Sequence, residues 1–256
     1  MSFVCRAVAG LRRQPHMDSE LLTQELLGHR VRIHSSRGDF ADCSLMDGYR
    51  GWMALSALSA SIRYAATHFV KKRFAWIRGE ETGPILVPMG SRVKVVSPGT
   101  VRHVVELPGG ETGKVAAGAL AEIAAGGLEV SALPWIFEQV KGSPYVWGGK
   151  STFGFDCSGL VQFVFGLTGI ELPRDSGDQA KRGRLVSDID RLLPLDLVFF
   201  GAGKKVDHVA LHLGDLDILH ASGYVRVESL KTSSSRFRGD LRGRYRFARR
   251  LPHVQA

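Results

Sequence analysis

Residues 154–160 read Gly-Phe-Asp-Cys-Ser-Gly-Leu, and this stretch determines how the second half of the chain is predicted to fold. Apolar residues then recur at the i, i+3, i+4, i+7 spacing of a helix with one buried face, namely at Leu160, Phe163, Val164 and Leu167. Asp156 is a good helix N-cap, so Cys157 falls in the first turn, where free N–H groups and the helix dipole favour negative charge. Because thiolate is the reactive form of cysteine, the sequence predicts a nucleophilic Cys157 with a lowered pKa.

Strands are predicted after this helix, and a short helix is predicted before it. Residues 135–140 have a helical pattern, whereas residues 196–200 read as a buried strand. Residues 206–213 alternate strictly between two faces, and further strands are predicted at 218–221 and 225–227. A helix followed by a run of antiparallel strands is an α+β order.

The first half of the chain reads as short β-strands separated by turns. Residues 20–60 and 65–130 each contain alternating apolar segments interrupted by Gly, Pro and Asp turn signals. Two small, barrel-like all-β modules are therefore predicted to precede the α+β half. The predicted domains are residues 1–62, 63–130 and 131–256.

The composition indicates a globular protein with a basic surface. The 256 residues include 34 Lys+Arg and 25 Asp+Glu, which gives a net charge of +9, and 44% of them are hydrophobic. Basic surfaces attract anionic partners. No nucleic-acid recognition module accompanies the charge, so a solvated basic face or an acidic small substrate is favoured over nucleic acid.

The chain shows no membrane or export signal. No apolar run approaches the roughly 20 residues that span a bilayer, and residues 1–16 lack the apolar core of a signal peptide. We therefore expect a cytoplasmic protein, with secretion by another route left open. Three cysteines, Cys5, Cys43 and Cys157, and the absence of a CxxC motif predict reduced thiols and no structural zinc site.

Two histidines on the predicted strands could serve the cysteine. A cysteine nucleophile needs a base and usually a third group that orients the base. Residues 206–212 and 216–222 are predicted to form a hairpin around the three-residue loop Leu213-Gly214-Asp215. In that register His208 lies directly opposite His220 on the same face of the sheet. A slip of one residue would place the two histidines on opposite faces.

Residue chemistry alone leaves other interpretations open. A buried cysteine is usually an inert small hydrophobe, and Cys157 could instead form a zinc site with His208 and His220. His212 shares a face with His208 and is expected to be structural. Because no supporting carboxylate motif is evident, we expect no metal and no cofactor.

Six motifs occur in a fixed order from residue 134 to about residue 230. They are Pro144-Tyr145-Val146-Trp147-Gly148-Gly149, Phe155-Asp156-Cys157-Ser158-Gly159-Leu160-Val161, Leu172-Pro173-Arg174, Asp196-Leu197-Val198-Phe199-Phe200, Asp207-His208-Val209-Ala210 and Leu219-His220-Ala221. Together they resemble the NlpC-type cell-wall cysteine peptidases. The resemblance implies a papain-like domain in which a helix-borne cysteine packs against an antiparallel sheet.

The resemblance also implies roles for individual residues. Cys157 would be the nucleophile, His208 the general base and later the general acid, and His220 the group that orients the His208 ring. Tyr145 would lie near the tetrahedral intermediate, where its hydroxyl could join the Cys157 N–H as an oxyanion donor. Packing beneath the Gly148-Gly149 turn is the alternative role for Tyr145.

The first half resembles bacterial SH3-like domains through residues 21–28 (Leu-Leu-Thr-Gln-Glu-Leu-Leu-Gly) and residues 47–52 (Asp-Gly-Tyr-Arg-Gly-Trp). Residues 65–130 look like a second, diverged copy. Family members with this arrangement cut short murein peptides between γ-D-glutamate and a diamino acid, and they require a free N-terminal L-alanine. The resemblance implies that Asp156 and Ser158 hold the substrate ammonium.

Two further residues have two interpretations each. Tyr49 is the candidate contribution of the first SH3-like domain to the substrate pocket, and a core aromatic of that domain is the alternative. Arg174 is expected either to bind a substrate carboxylate or to form an ion pair with Asp175 or Asp178.

The sequence therefore predicts a three-module thiol protease, a γ-D-glutamyl-L-diamino acid endopeptidase. Its substrate would be a murein tri- or tetrapeptide with a free N-terminal L-alanine, its role would be cell-wall peptide recycling, and a monomer is assumed. The alternatives are an amidase or acyltransferase on the same scaffold, and a non-catalytic wall-binding protein. The complete Cys, His, His set argues against a pure binding protein.

Overall fold

The chain forms two compact units. The computed structural model describes residues 2–60, 64–79, 83–123, 130–203 and 205–252. The first unit is Met1–Gly127 with Trp147–Phe153, and the second is Leu128–Val146 with Gly154–Ala256. The predicted third domain was continuous from residue 131, whereas residues 147–153 belong to the first unit. The predicted boundary between residues 62 and 63 lies outside the described residues.

The first unit begins with a seven-stranded sheet in which neighbouring strands run antiparallel. Its strands are β1 (Ser2–Val4), β2 (Val8–Arg12), β3 (Leu21–Leu26), β4 (Arg30–Arg37), β5 (Phe40–Ser44), β6 (Arg50–Ala54) and β7 (Leu58–Ala60). They are arranged in the order β3-β2-β6-β5-β4-β1-β7. Alternate residues of β2 point inward, so Ala9 and Leu11 join Cys43 and Met53 in one apolar core.

A second seven-stranded sheet repeats this topology. Its strands are β8 (His68–Val70), β9 (Phe74–Gly79), β10 (Pro84–Pro88), β11 (Arg92–Ser97), β12 (Arg102–Glu106), β13 (Thr112–Ala116) and β14 (Leu120–Glu122). The order β10-β9-β13-β12-β11-β8-β14 is that of the first sheet with every strand advanced by seven. A 3-10 turn precedes the last strand in both sheets, at Leu55–Ala57 and at Ala117–Ala119. The two sheets therefore have the same topology.

The segment 147–153 is held against β3 by polar contacts, and a glycine in the segment lets the two backbones come close together. The backbone N–H of Lys150 donates to Gln24 Oε1 at 3.0 Å, and its ammonium lies 3.2 Å from Glu25 Oε2. Gly148 has a φ of +75°, and a Cβ there would lie 2.4 Å from the carbonyl oxygen of Leu21. A side chain at this position would clash with the backbone of β3, which explains the glycine after Trp147.

The second unit is α+β, as predicted. Its helices are α1 (Leu133–Val140), α2 (Cys157–Leu167), α3 (Ser176–Gln179) and α4 (Gly239–Gly243). The short strand β16 (Gly154–Phe155) comes before α2 in the chain, whereas β15 (Lys150–Ser151) belongs to the first unit. The six strands β17 (Arg184–Val186), β18 (Leu197–Phe200), β19 (His208–Gly214), β20 (Asp217–Ser222), β21 (Tyr224–Ser229) and β22 (Tyr245–Arg250) form an antiparallel sheet in the order β17-β22-β18-β19-β20-β21.

Helix α2 is more deeply buried than its sequence pattern predicts. Every residue from Cys157 to Phe165 is buried, including Val161 and Gln162, which lie off the predicted apolar face. The prediction of a single buried face is therefore wrong. The helix packs against β19 and β20. Gln162 donates to the Leu172 carbonyl, in the segment that follows the helix, at 2.8 Å.

The β19–β20 hairpin has a different register from the predicted one. Leu211 pairs with Leu219 and His212 with Ile218, and the turn consists of Asp215 and Leu216 alone. Both turn residues have positive φ, 47° and 63°, which is the backbone of a two-residue type I′ turn.

The predicted three-residue loop and the direct pairing of His208 with His220 are therefore wrong. The register differs from the predicted one by two residues. Because side chains alternate with a period of two, His208 and His220 still share one face of the sheet.

Candidate active site

Cys157 is the first residue of α2, and Asp156 caps this helix. The Asp156 side chain accepts a hydrogen bond from the Gly159 N–H at 2.7 Å, which satisfies one of the free donors of the first turn. Cys157 is 9% exposed. The backbone N–H groups of Val209 and Ser158 point to its sulfur. Val209 follows His208 in β19, so the cysteine lies beside the strand that carries this histidine.

The thiol of Cys157 is less acidic than the sequence predicts. Burial raises its pKa to about 11, and the nearby Asp156 carboxylate acts in the same direction. The N–H groups of Val209 and Ser158 and the charge of Arg174 lower the pKa but do not outweigh burial. The prediction of a lowered pKa is therefore wrong for the resting protein, in which Cys157 is a neutral thiol.

His208 and His220 are hydrogen-bonded to each other. The His208 Nε2 and His220 Nδ1 atoms lie 2.8 Å apart, and the rings meet edge to face with an interplanar angle of 79°. Burial lowers the pKa of His208 to about 3, with the neighbouring His220 and two arginines acting in the same direction. Burial also lowers the pKa of His220, against the opposing effect of Glu228. A neutral imidazole pair thus lies on β19 and β20, the two strands against which the helix of Cys157 packs.

Glu228 extends this chain and was not predicted from the sequence. Its Oε2 lies 2.7 Å from His220 Nε2, and Arg238 Nη1 donates to both of its carboxylate oxygens at 2.7 Å. Residue 228 lies on the same face of β21 as Arg226, which pairs across the sheet with His220. The alternation of Tyr224-Val225-Arg226-Val227 continues to Glu228, which places Glu228 on the face of Arg226, but its contact with His220 depends on the pairing of β20 with β21.

Arg174 forms a buried ion pair with Asp156. The guanidinium is 2% exposed and donates to both Asp156 oxygens, at 3.0 Å from Nη1 and through Nη2. Nη1 also donates to the hydroxyl of Ser158 at 2.9 Å. The structure thus joins Asp156 and Ser158 through one arginine, a contact that the sequence did not predict.

Tyr145 lies in the same unit and is positioned by its backbone. Its N–H donates to the Gly223 carbonyl at 2.8 Å, and it forms a parallel bridge with Phe155. Burial raises the pKa of its hydroxyl to about 12, and the nearby Cys157 and Asp156 act in the same direction. The hydroxyl therefore stays protonated and can donate a hydrogen bond near the cysteine.

The remaining predicted residues have structural surroundings. Tyr49 lies in the first unit, half-buried against the core of the first sheet. Its predicted part in the substrate pocket stays a prediction. His212 holds the end of the hairpin, because its Nδ1 lies 2.8 Å from the Leu193 carbonyl and its Nε2 accepts from the Leu216 N–H at 3.2 Å.

The basic stretch near the C-terminus is largely engaged in ion pairs. They are Lys231–Asp215, Arg236–Asp217, Arg238–Glu228, Arg238–Asp240, Arg244–Asp207 and Arg250–Asp196.

Among the described residues, no cluster of three His, Cys, Asp or Glu side chains is arranged to hold a metal ion. No helix in the described ranges is long and apolar enough to cross a membrane.

Two family descriptions match this chain. Residues 142–242 match the NlpC/P60 family, and residues 11–58 match the bacterial dipeptidyl-peptidase SH3 domain. The second match ends before β8, so it does not cover the second sheet.

Relatives and solved structures agree with these matches. A γ-D-glutamyl-L-lysine dipeptidyl-peptidase from Bacillus cereus is 30% identical over 226 residues, which cover 79% of this chain and 68% of that protein. The peptidoglycan endopeptidase RipB from Mycobacterium tuberculosis is 43% identical over 95 residues, 32% of this chain and 39% of RipB. The crystal structure of an NlpC/P60 family protein from Bacillus cereus superposes with a TM-score of 0.83 at 26% identity, covering 98% of this chain and 99% of that one.

Proposed function

Because this chain belongs to the NlpC/P60 family of cysteine peptidases, we propose that Cys157, His208 and His220 form its catalytic triad and that it hydrolyses peptidoglycan peptides. The observation that carries this proposal is the order of Cys157, His208 and His220 in the second unit. A thiol at a helix N-terminus lies beside the strand of His208, and His208 is hydrogen-bonded to a buried His220. Such an order of nucleophile, base and orienting group supports acyl transfer.

The reaction follows from the neutral resting state. As Cys157 Sγ bonds to the scissile carbonyl carbon, its proton passes to the His208 ring. The oxyanion accepts hydrogen bonds from the Cys157 N–H and the Tyr145 hydroxyl. His208 then gives its proton to the leaving amine as the C–N bond breaks. Water, deprotonated by His208, hydrolyses the resulting thioester and restores the thiol.

The name of the 30% identical relative supports the choice of bond. We propose cleavage between γ-D-glutamate and the following diamino acid, in peptides that carry a free N-terminal L-alanine. Asp156 and Ser158 would hold the ammonium of that alanine. Asp156 already pairs with Arg174, so the ammonium would share its carboxylate with a buried cation. A free amine is available only on peptides already released from glycan, so the role would be recycling, and a cytoplasmic location remains a prediction.

A peptide assay tests this function. The wild-type protein is incubated with L-Ala-γ-D-Glu-L-Lys, with the N-acetylated peptide and with the α-linked isomer, and the products are identified by mass spectrometry. We expect L-Ala-D-Glu and lysine from the first peptide only. Equal cleavage of the acetylated peptide would contradict the ammonium site, and cleavage of the α-linked isomer would contradict the choice of bond. Intact γ-linked peptide after binding would instead support the non-catalytic wall-binding alternative.

A further inference from the structure

Glu228 lies one hydrogen bond beyond the three residues of the proposed triad. Its side chain is 12% exposed, and its Oε2 lies 2.7 Å from His220 Nε2. Arg238 Nη1 binds both carboxylate oxygens, and Arg226 Nε lies 3.1 Å from Oε1. The carboxylate is thus fixed between two guanidinium groups, with one oxygen presented to His220.

We propose that Glu228 is a positioning residue that sets the tautomers of both His220 and His208. This inference rests on the proposed function. A carboxylate can only accept hydrogen bonds, so His220 Nε2 carries the proton in its contact with Glu228. The His220 Nδ1 atom is then bare and accepts from His208 Nε2 at 2.8 Å. His208 Nδ1 is consequently the unprotonated nitrogen that is left to receive the thiol proton.

The charges around Glu228 keep it ionised. Burial acts to raise its pKa, but the hydrogen bonds from Arg238 and His220 outweigh burial, so its pKa is lowered. Arg226 and Arg238 also act against a second proton on His220. The charges of Arg244 and Arg238 also lower the pKa of His208. Arg244 is itself paired with Asp207 at 2.6 Å. At neutral pH the carboxylate therefore remains an acceptor and the two rings remain neutral.

The same contact supports the charged intermediate. When the proton leaves Cys157 Sγ for His208 Nδ1, His208 becomes an imidazolium with both nitrogens protonated. Its Nε2–H continues to donate to His220 Nδ1, and His220 Nε2–H continues to donate to Glu228. The negative charge of Glu228 therefore stabilises the imidazolium through His220 without itself changing protonation.

Two substitutions separate this role from a structural one. In Glu228→Gln, the new amide oxygen is favoured at the Oε1 position, where Arg226 and Arg238 can only donate. The NH2 group then replaces Oε2, where Arg238 Nη1 loses one of its two acceptors, and faces His220, whose ring nitrogen can accept. This amide donates to His220 Nε2, which reverses both tautomers and protonates His208 Nδ1. We expect kcat on L-Ala-γ-D-Glu-L-Lys to fall at least about 100-fold with KM little changed, since a wrong tautomer removes the base. Glu228→Ala leaves space for water, which can accept a hydrogen bond from His220 Nε2. We therefore expect a smaller loss of kcat in Glu228→Ala than in Glu228→Gln.

A structural role predicts the opposite ranking, because Gln is isosteric with Glu and Ala is not. Asp217→Asn is the matched control. Asp217 lies on the neighbouring strand β20 and pairs with Arg236 at 2.6 Å, so its loss should leave kcat unchanged. A milder loss in Glu228→Gln than in Glu228→Ala would overturn the inference.

A measurement on the wild-type protein avoids any folding defect of the variants. The 15N chemical shifts of the histidine rings should show an unprotonated Nδ1 on both His208 and His220, and a protonated His208 Nδ1 would overturn the inference. Cys157→Ala in the same peptide assay separates the two proposals. If Cys157→Ala is active, the proposed function fails. If Cys157→Ala is inactive while Glu228→Gln has full kcat, only the role of Glu228 fails.

Discussion

His208 and His220 are neutral in the folded protein because their rings are buried. Burial lowers the pKa of His208 to about 3, and it lowers the pKa of His220 as well, whereas a solvated histidine titrates near 6.5. In the unfolded chain both rings regain the ordinary pKa. Between these pKa values the unfolded chain binds more protons than the folded one, so acid favours unfolding.

Acidification from pH 7 to pH 5 should therefore lower the free energy of unfolding. Below its unfolded pKa, each histidine contributes at most about 1.4 kcal/mol per pH unit. Urea unfolding at several pH values measures this slope. His208→Gln should flatten the pH dependence, whereas His16→Gln, at an exposed histidine, should not. An unchanged slope in His208→Gln would contradict the burial of a neutral ring.

At the residue scale, the sequence could predict the capped cysteine but not its ionisation. Asp156 and Cys157 are neighbours in the chain, so their capping geometry is local. The pKa of Cys157 depends on burial against β19, which is a tertiary property. Glu228 was missed for a similar reason, because its contact with His220 depends on the register of two strands.

Helix α2 is tied at its N-terminus to the loop that follows it. Arg174 bonds both Asp156 and Ser158 from a buried position, so the pair fixes the first turn that carries Cys157. Removing one partner of a buried ion pair leaves an uncompensated charge. Arg174 is therefore expected to stabilise helix α2 and to fix the position of Cys157.

Arg174→Met should destabilise the protein by about 3 kcal/mol or more, as expected when a buried carboxylate loses its partner. Arg191→Met is the matched control, because Arg191 is 83% exposed and lies 3.7 Å from Asp188. We expect Arg191→Met to lower the free energy of unfolding by less than about 1 kcal/mol. Urea unfolding of both variants measures the difference, and equal losses would show that the Arg174 pair does not hold α2.

At the element scale, the sequence predicted the strands of the hairpin better than its turn. The alternation of 206–213 identified the face shared by His208 and His220. The turn at Asp215 and Leu216 was not predicted because Leu is a poor residue for positive φ, and Leu216 adopts it while packing against the core. Tertiary packing therefore decided the register.

At the scale of the whole molecule, the family and the fold class predicted from the sequence are confirmed. The second SH3-like sheet could be proposed from turn spacing, but its strand order could not, because that order depends on long-range pairing. The domain boundaries, the site residues and the location of the protein in the cell stay predictions.

The central claim is that Cys157 is the nucleophile that cleaves peptidoglycan peptides. The most direct test compares hydrolysis of L-Ala-γ-D-Glu-L-Lys by the wild-type protein, Cys157→Ala and Cys5→Ala, the last being a half-buried cysteine of the first unit. We predict that Cys5→Ala releases L-Ala-D-Glu at the wild-type rate and that Cys157→Ala releases none above background. Release of L-Ala-D-Glu by Cys157→Ala at a rate near that of the wild type would contradict the claim.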